Sequence, residues 1–217
     1  MTSTRRAPGA GWILADFDDT LAPGDSHAGL LRFILRRRLW PLLLLLPVIA
    51  LGGLVYLVPR LRRQGISLIW WAITLGLSPL GWRQLVRAYC HTRPGLFREA
   101  RALLMAERAR CWVISASPRA LVRAQLHRQL PRLPHRIIGS RMGYRLGGLV
   151  PRFYCHGRHK ILPEIRALRV TLALSDSLHD LPLLALGQRA WFINPTARRL
   201  QQARAHQPHL AVKNWHL

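Results

Sequence analysis

Acidic side chains are what this sequence has least of. Nine Asp and Glu face thirty-three Lys and Arg in 217 residues, for a net charge of +24 and a sequence pI near 11.9. That imbalance implies attraction to a polyanion, either nucleic acid or an anionic membrane surface. No recognisable nucleic-acid module appears, and the arginines are spread along the whole chain. A non-catalytic nucleic-acid-binding protein is thus an alternative suggested only by charge, and no nucleic-acid partner is expected. Lysine is nearly absent: Lys160 and Lys213 are the only two, so Lys160 stands out. Three cysteines, Cys90, Cys111 and Cys155, are widely spaced and form no C-x-x-C pair, which speaks against a disulfide framework and a structural zinc site and makes a reducing cytosolic side the default. No apolar run follows the polar start of the chain, with its Arg5 and Arg6, before the first acidic cluster, so no cleaved signal peptide is expected.

Against this background the few acids are concentrated. Asp16-Phe17-Asp18-Asp19-Thr20 places three carboxylates in four positions directly after the apolar run Trp12-Ile13-Leu14-Ala15, and Asp176 and Asp180 sit together far downstream. Like charges this close repel and raise one another's pKa, which a divalent cation with oxygen ligands would relieve. A polar turn after a strand fits the pentapeptide equally well, since Asp-Asp-Thr is ordinary turn and N-cap chemistry.

Residues 12–16 read as a short buried strand, and Gly24-Asp25-Ser26 supplies a turn and an N-cap for a helix to about Arg38. Residues 39–58 then contain no charge, and after Arg60, Arg62 and Arg63 a second uncharged stretch covers 64–82. Twenty such residues suit a helix crossing a hydrocarbon core roughly 30 Å thick. The flanks must meet on one side if Asp16–Thr20 is to join residues from 115 onward, and a double crossing would place Arg60, Arg62 and Arg63 outside, against the positive-inside tendency. Pro41, Pro47 and Gly52-Gly53 also interrupt the first stretch. The expectation is a re-entrant or in-plane hairpin in the cytoplasmic leaflet of the inner membrane, with Arg36 to Arg38 and Arg60 to Arg63 on anionic headgroups.

Beyond Arg83 amphipathic helices run to about Arg110, broken at Arg93-Pro94-Gly95. The strand Cys111-Trp112-Val113-Ile114 ends at Ser115-Ala116-Ser117-Pro118, followed by a helix to about Gln129. Short strands are expected near 137–138 and 144–150, a helix over 158–168, a strand over 170–174, a helix over 181–186 and a strand over 190–193. This alternation predicts an α/β fold with a doubly wound parallel sheet, its core made of residues 1–25 and 100–217 and its helical, membrane-associated cap of residues 26–99.

In such sheets functional groups lie at the carboxyl ends of the strands. Asp16 to Thr20, Ser115, and Asp176 with Asp180 all follow strands, and Lys160 sits just inside the expected 158–168 helix. The set suits phosphoryl transfer through an aspartyl-phosphate. Asp16 would be the nucleophile and Asp18 the acid and base. Ser115 would donate to a phosphoryl oxygen, and Lys160 would neutralise charge shared by nucleophile and phosphate. Mg²⁺ would be held by Asp16, Asp176 and the main-chain carbonyl of Asp18, with Asp180 ordering its waters or bracing Lys160. Each residue has a plainer reading alone: Ser115 and Ser117 as N-cap candidates, Lys160 as a solvated helix residue, Asp176 and Asp180 as helix-start carboxylates. Cys155-His156 and His159 read as structural, and His179 as a surface histidine.

The segments DFDDT, VISASP, Lys160 and SDSLHD resemble, in order, the four motifs of the haloacid dehalogenase superfamily. Asp18, two residues beyond the nucleophile, looks like the phosphatase branch, and DLPLL after SDSLH looks like the subfamily, IB, that includes phosphoserine phosphatases. More narrowly, the apolar insertion and the RMGYRLGG and CHGRHK segments are similar to the bacterial phosphatidylglycerophosphatase C family. That resemblance implies Mg²⁺-dependent removal of the terminal phosphate of phosphatidylglycerophosphate. Asp19 departs from the Gly of many relatives. Lysophosphatidic acid or a soluble phosphomonoester such as phosphoserine are the competing substrates.

Overall fold

The computed structural model describes residues 11–217; the expectation about a leader concerns residues that lie outside them. The chain begins with β1 (Trp12–Ala15), then α1 (Ser26–Arg37), α2 (Leu39–Leu57), α3 (Arg62–Thr74), α4 (Pro79–Thr92) and α5 (Arg98–Glu107). It continues with β2 (Cys111–Pro118), α6 (Arg119–Gln129), β3 (Arg136–Arg145) and β4 (Gly148–Phe153). The remainder is α7 (Pro163–Arg166), β5 (Val170–Ser175), α8 (Leu181–Leu184), β6 (Arg189–Ile193), α9 (Ala197–His206) and β7 (Ala211–Lys213).

The strands form one sheet in the order β4-β3-β2-β1-β5-β6-β7, parallel throughout except for the antiparallel pair β3 and β4. Alternate residues of each strand point to opposite faces, and both faces are covered. Ile13, Ala15, Cys111 and Val113 pack with Ala100 and Leu104 of α5 and Val122 and Leu126 of α6. Leu14, Trp112 and Ile114 pack with Ile165 of α7, Leu183 and Leu184 of α8, and Ala203 of α9. β1 therefore lies between β2 and β5 where the winding reverses, the point at which such sheets open a crevice beyond their carboxyl ends.

The insertion between β1 and β2 has its own core. Leu30 and Ile34 of α1, Ile66, Trp70 and Ile73 of α3, and Trp82, Val86 and Tyr89 of α4 pack together over Leu121 of α6 and Leu149 of β4. Asp25 caps α1 by accepting from the Ala28 amide (2.9 Å), and Ser78 caps α4 through the Gly81 amide (3.0 Å), with Pro79 at the first helical position.

Several sequence expectations change. α2 runs unbroken through Pro47. Gly52 is a crossing point, because a Cβ there would meet Ile69 Cγ1 at 2.9 Å and one on Gly65 would meet the Gly52 carbonyl at 2.6 Å. Within the second uncharged stretch, α3 buries Ile66, Trp70 and Ile73 inside the insertion. Among the described residues no single helix is long and apolar enough to cross a membrane, and the two helical segments that would suffice together, 59–74 and 79–92, are bent by 99°. Arg38 points inward rather than to headgroups, donating to the carbonyls of Ile73 (3.1 Å) and Leu75 (2.8 Å). The expected 158–168 helix is a 3₁₀ turn, Gly157–Lys160, then the short α7; Pro163 has no amide to continue a helix and starts a new one instead. Residues 136–153 form a hairpin whose turn residues Leu146 and Gly147 have φ of 46° and 78°, the primed two-residue type.

Candidate active site

Asp16 extends β1 by one hydrogen bond, its amide donating to the Leu174 carbonyl (3.0 Å), so its carboxylate emerges between β1 and β5. Lys160 Nζ donates to Asp16 Oδ1 (2.8 Å) and to Asp180 Oδ2 (2.6 Å), and Ser175 Oγ also donates to Asp180 Oδ2 (2.8 Å). All three charged groups are buried. Burial pulls the Lys160 pKa down, but Asp16 and Asp180 more than offset it, and the ammonium is held above its usual range. Burial pushes Asp16 well above the usual carboxylate range despite Lys160, and Asp180 and Asp176 push in the same direction.

Asp18 is held from three directions. Its Oδ1 accepts from the Ser26 amide (2.9 Å), and its Oδ2 from Ser117 Oγ (2.6 Å). Ser26 Oγ and Ser117 Oγ lie 2.8 Å apart, and Arg93 Nη2 is 4.0 Å from Oδ1. Burial raises the Asp18 pKa although both serines oppose it, which suits a group that must carry a proton. Asp19 has a φ of 52°, the left-handed conformation that favours glycine, and its Oδ1 accepts from the Gly24 amide (2.6 Å). The carboxylate thus closes the loop that a glycine would only permit.

Asp176 faces the same crevice. Thr20 Oγ1 accepts from its amide (2.9 Å) and lies 3.1 Å from its Oδ1, tying the β1 loop to the β5 loop. Burial pushes Asp176 up to about 6, and Asp19 and Asp180 add to the rise. One cation, Arg199, approaches Asp176 Oδ2, at 3.8 Å, from an exposed position. Among the described residues no three His, Cys, Asp or Glu side chains are assembled as a ligand set. Asp16 and Asp176 still offer two hard oxygen donors into one cavity, both raised in pKa by burial and by each other or their acidic neighbours. That donor set, with a nearby main-chain carbonyl, fits a small divalent cation that takes one or two carboxylates. Asp180, expected to order the metal's waters or to brace Lys160, is engaged by Lys160 and Ser175.

Ser115 stands towards the carboxyl end of β2, behind the cavity lining. It is fully buried and its hydroxyl accepts from the Ser117 amide (3.0 Å), while Ser117 lines the cavity. Ser175 does the same for the Ser177 amide (3.1 Å), so both strands flanking β1 end in a hydroxyl that fixes the backbone two residues on. Ser117, Thr20, Ser26, Ser175 and Arg93 are site residues that motif reading did not assign.

The cavity, about 490 Å³, is polar at its floor, where Asp16, Asp18, Asp176 and Lys160 meet. Apolar and aromatic residues complete the lining, with His27, Leu31, Tyr56, Ile66 and Ile69 from the insertion and Tyr154 from beyond β4. His27 accepts from Trp70 Nε1 (3.1 Å), and burial lowers its pKa. His156 stacks on Tyr154 (5.7 Å, 10°), and the exposed His179 lies 5.3 Å from His156 at the rim. Cys155 is buried, with its thiol pushed up to about 12, and His159 is outside the cavity lining.

A family model described as haloacid dehalogenase-like hydrolase matches residues 13–185. Among solved structures, a protein of unknown function from Bordetella pertussis Tohama I superposes with a TM-score of 0.71 at 17% identity, covering 93% of this chain and 97% of that one. A phospho-aspartyl intermediate analogue of phosphoserine phosphatase gives 0.57 at 13% identity, covering 95% and 94%. A phosphoserine phosphohydrolase-like protein from Francisella tularensis subsp. tularensis SCHU S4 gives 0.57 at 13%, covering 94% and 95%. At these identities the likeness shows the fold.

Proposed function

The chain belongs to the haloacid dehalogenase-like hydrolases, and from that premise we propose that it is a Mg²⁺-dependent phosphomonoesterase that works at the cytoplasmic face of the inner membrane and removes the terminal phosphate of phosphatidylglycerophosphate. The chemistry rests on the floor of the cavity. Asp16 Oδ1 is engaged by Lys160, which leaves Oδ2 to attack phosphorus. As the bond from Oδ2 to phosphorus forms, the bond to the leaving oxygen breaks, and that oxygen takes the proton carried by Asp18. Water then attacks the aspartyl-phosphate, giving a proton to Asp18 while the bond between Asp16 and phosphorus breaks. Lys160 offsets the negative charge that collects on nucleophile and phosphoryl group, and Asp180 with Ser175 keeps it in place. Ser117, on the cavity wall, donates its hydroxyl proton to Asp18 and so holds the acid in place, while the phosphoryl-binding role stays with Ser115, whose hydroxyl oxygen accepts from the Ser117 amide. Mg²⁺ held by Asp16, Asp176 and the Asp18 carbonyl would neutralise phosphoryl oxygens.

The observation that carries the lipid reading is α2. Its described side chains are apolar, yet only Gly52 among them is buried, and Leu44, Leu54 and Leu57 stand 80%, 65% and 72% exposed. Tyr56 of the same helix lines the cavity, so a substrate drawn from an apolar phase along α2 would arrive at Asp16. Arg60, Arg62 and Arg63 follow α2 on the exposed side, where anionic headgroups would meet them. The test is phosphate release by purified protein in detergent, with and without Mg²⁺, from phosphatidylglycerophosphate, lysophosphatidic acid and phosphoserine side by side. The proposal expects fastest turnover of phosphatidylglycerophosphate and none without Mg²⁺; preference for phosphoserine would refute the lipid assignment.

A further inference from the structure

Both ends of the insertion converge on one carboxylate. At the leading end, the Ser26 amide donates to Asp18 Oδ1 (2.9 Å). At the returning end, the Arg93-Pro94-Gly95 break turns Arg93 back into the protein, with its side chain only 8% exposed. Arg93 Nη2 donates to the carbonyls of Pro23 (2.7 Å) and Gly24 (3.0 Å) and lies 4.0 Å from Asp18 Oδ1. Its own carbonyl accepts from Arg128 Nη2 of α6 (2.9 Å), so the sheet side of the molecule holds it from behind. Gly24, with a φ of 75°, is the bend at which the chain enters α1, and its amide is tied to Asp19.

A simple staple between two loops does not account for all of this. Arg93 Nε is buried without a hydrogen-bond partner, and a buried guanidinium that lacks a close carboxylate is unfavourable unless its charge is used. The acid within reach is Asp18, whose other oxygen is fixed by Ser117. We propose that Arg93 is a positioning residue: it links the seating of the insertion to the orientation of Asp18, so that the acid is aimed at the leaving oxygen only when the two hinge segments are docked together. The inference rests on the phosphatase reading given above, in which Asp18 protonates the leaving group.

Leaving-group dependence separates this role from a merely structural one. A nitrophenolate departs readily without a proton, whereas the more basic phenolate relies on the acid. In single-turnover reactions with p-nitrophenyl phosphate and phenyl phosphate, Arg93→Gln should slow phenol release about tenfold more than nitrophenol release, a part of the usual general-acid contribution. Arg93→Lys, which keeps the charge but loses the planar fork, should recover part of that difference. In an Asp18→Asn background, Arg93→Gln should add no further discrimination between the two esters. A thermal midpoint measured alongside reports on folding, which does not alter the ratio between two substrates of one preparation. Equal slowing of both esters by Arg93→Gln, or discrimination that persists without Asp18, would overturn the inference while leaving an Asp16-dependent phosphatase intact. No Mg²⁺-dependent release from either ester by the native chain would overturn the phosphatase reading and the inference with it.

Discussion

α2 and α3 pack antiparallel through the Gly52 and Gly65 crossing and begin from similarly uncharged stretches, yet their surroundings are opposite. In α3 the residues Ile66, Trp70 and Ile73 recur at the spacing of one helical face, and that face is buried against α1, α4 and β4, while Ser67 and Gln64 lie outside it. In α2 the apolar residues go all the way round. A single neighbour can cover only one side of such a helix, so the leucines at 44, 54 and 57 remain uncovered. The absence of charge made the two stretches look alike; the periodicity of the apolar residues distinguishes them.

The comparison can be broken on either side, and stability provides the scale. The largest effect is expected in α3: Trp70→Ala removes a fully buried indole and its hydrogen bond to His27, and should lower the unfolding free energy by about 3–5 kcal/mol in chemical denaturation. A loss below about 1 kcal/mol would mean that the insertion does not depend on that core.

An intermediate effect is expected from the cavity floor. Burial raises the carboxyl groups of Asp16 and Asp18, and Asp176 is pushed up to about 6. Between the unfolded value near 3.9 and that raised value, the metal-free folded chain binds more protons than the unfolded chain. The contribution of these carboxyls to stability is therefore greatest below this window and falls as pH rises through it, by an amount on the order of 2 kcal/mol for Asp176. Lys160, raised rather than lowered, titrates outside the window, whereas His27 and His156, both lowered by burial, bind fewer protons in the folded chain than in the unfolded one and oppose the slope. In a metal chelator the thermal midpoint of the native chain should thus fall more between pH 5 and pH 7.5 than that of Asp176→Asn, which lacks the raised carboxyl but keeps both histidines, and added Mg²⁺ should raise the native midpoint chiefly at the higher pH. Equal pH dependence of the two midpoints without metal would contradict the assignment.

The smallest effect on stability is expected in α2. Leu44→Gln with Leu54→Gln alters only exposed side chains and should leave unfolding within about 0.5 kcal/mol. The same pair should weaken binding to vesicles of anionic phospholipid by about tenfold or more, because two leucines no longer leave water. Unchanged vesicle binding would remove α2 from the proposed contact.

The parallel sheet was legible because the apolar tetrads ending at Ala15, Ile114 and Leu174 are each followed by polar residues with little else to explain them. The gathering of Asp16, Asp18, Lys160, Asp176 and Asp180 was legible for the same reason: in a chain so poor in acid and lysine, each occurrence carries information. The grip of Ser117 on Asp18 was not. Alternation puts both serines on one side of β2, and spacing alone does not tell that Ser117 lines the cavity while Ser115 lies behind it. Arg93 was hidden among thirty-three basic residues, where composition cannot distinguish a buried guanidinium from a solvated one. α9 and β7 follow the last motif, and no chemical signature marked them. Asp19 is the reverse case: its departure from glycine was visible, and the positive φ now supplies the backbone reason for the glycine while the Gly24 hydrogen bond shows what the carboxylate contributes.

The central claim is that Asp16 forms a covalent phosphoryl intermediate on the floor of the cavity. Turnover with Mg²⁺ and a reactive aryl phosphate, quenched in acid and digested, should yield the peptide containing Asp16 heavier by one phosphoryl group. Asp16→Asn should lose that adduct together with phosphate release, at least about a thousandfold, while still binding vesicles. Phosphate release that continues in Asp16→Asn, or a phosphoryl group found on another residue during turnover, would contradict the account.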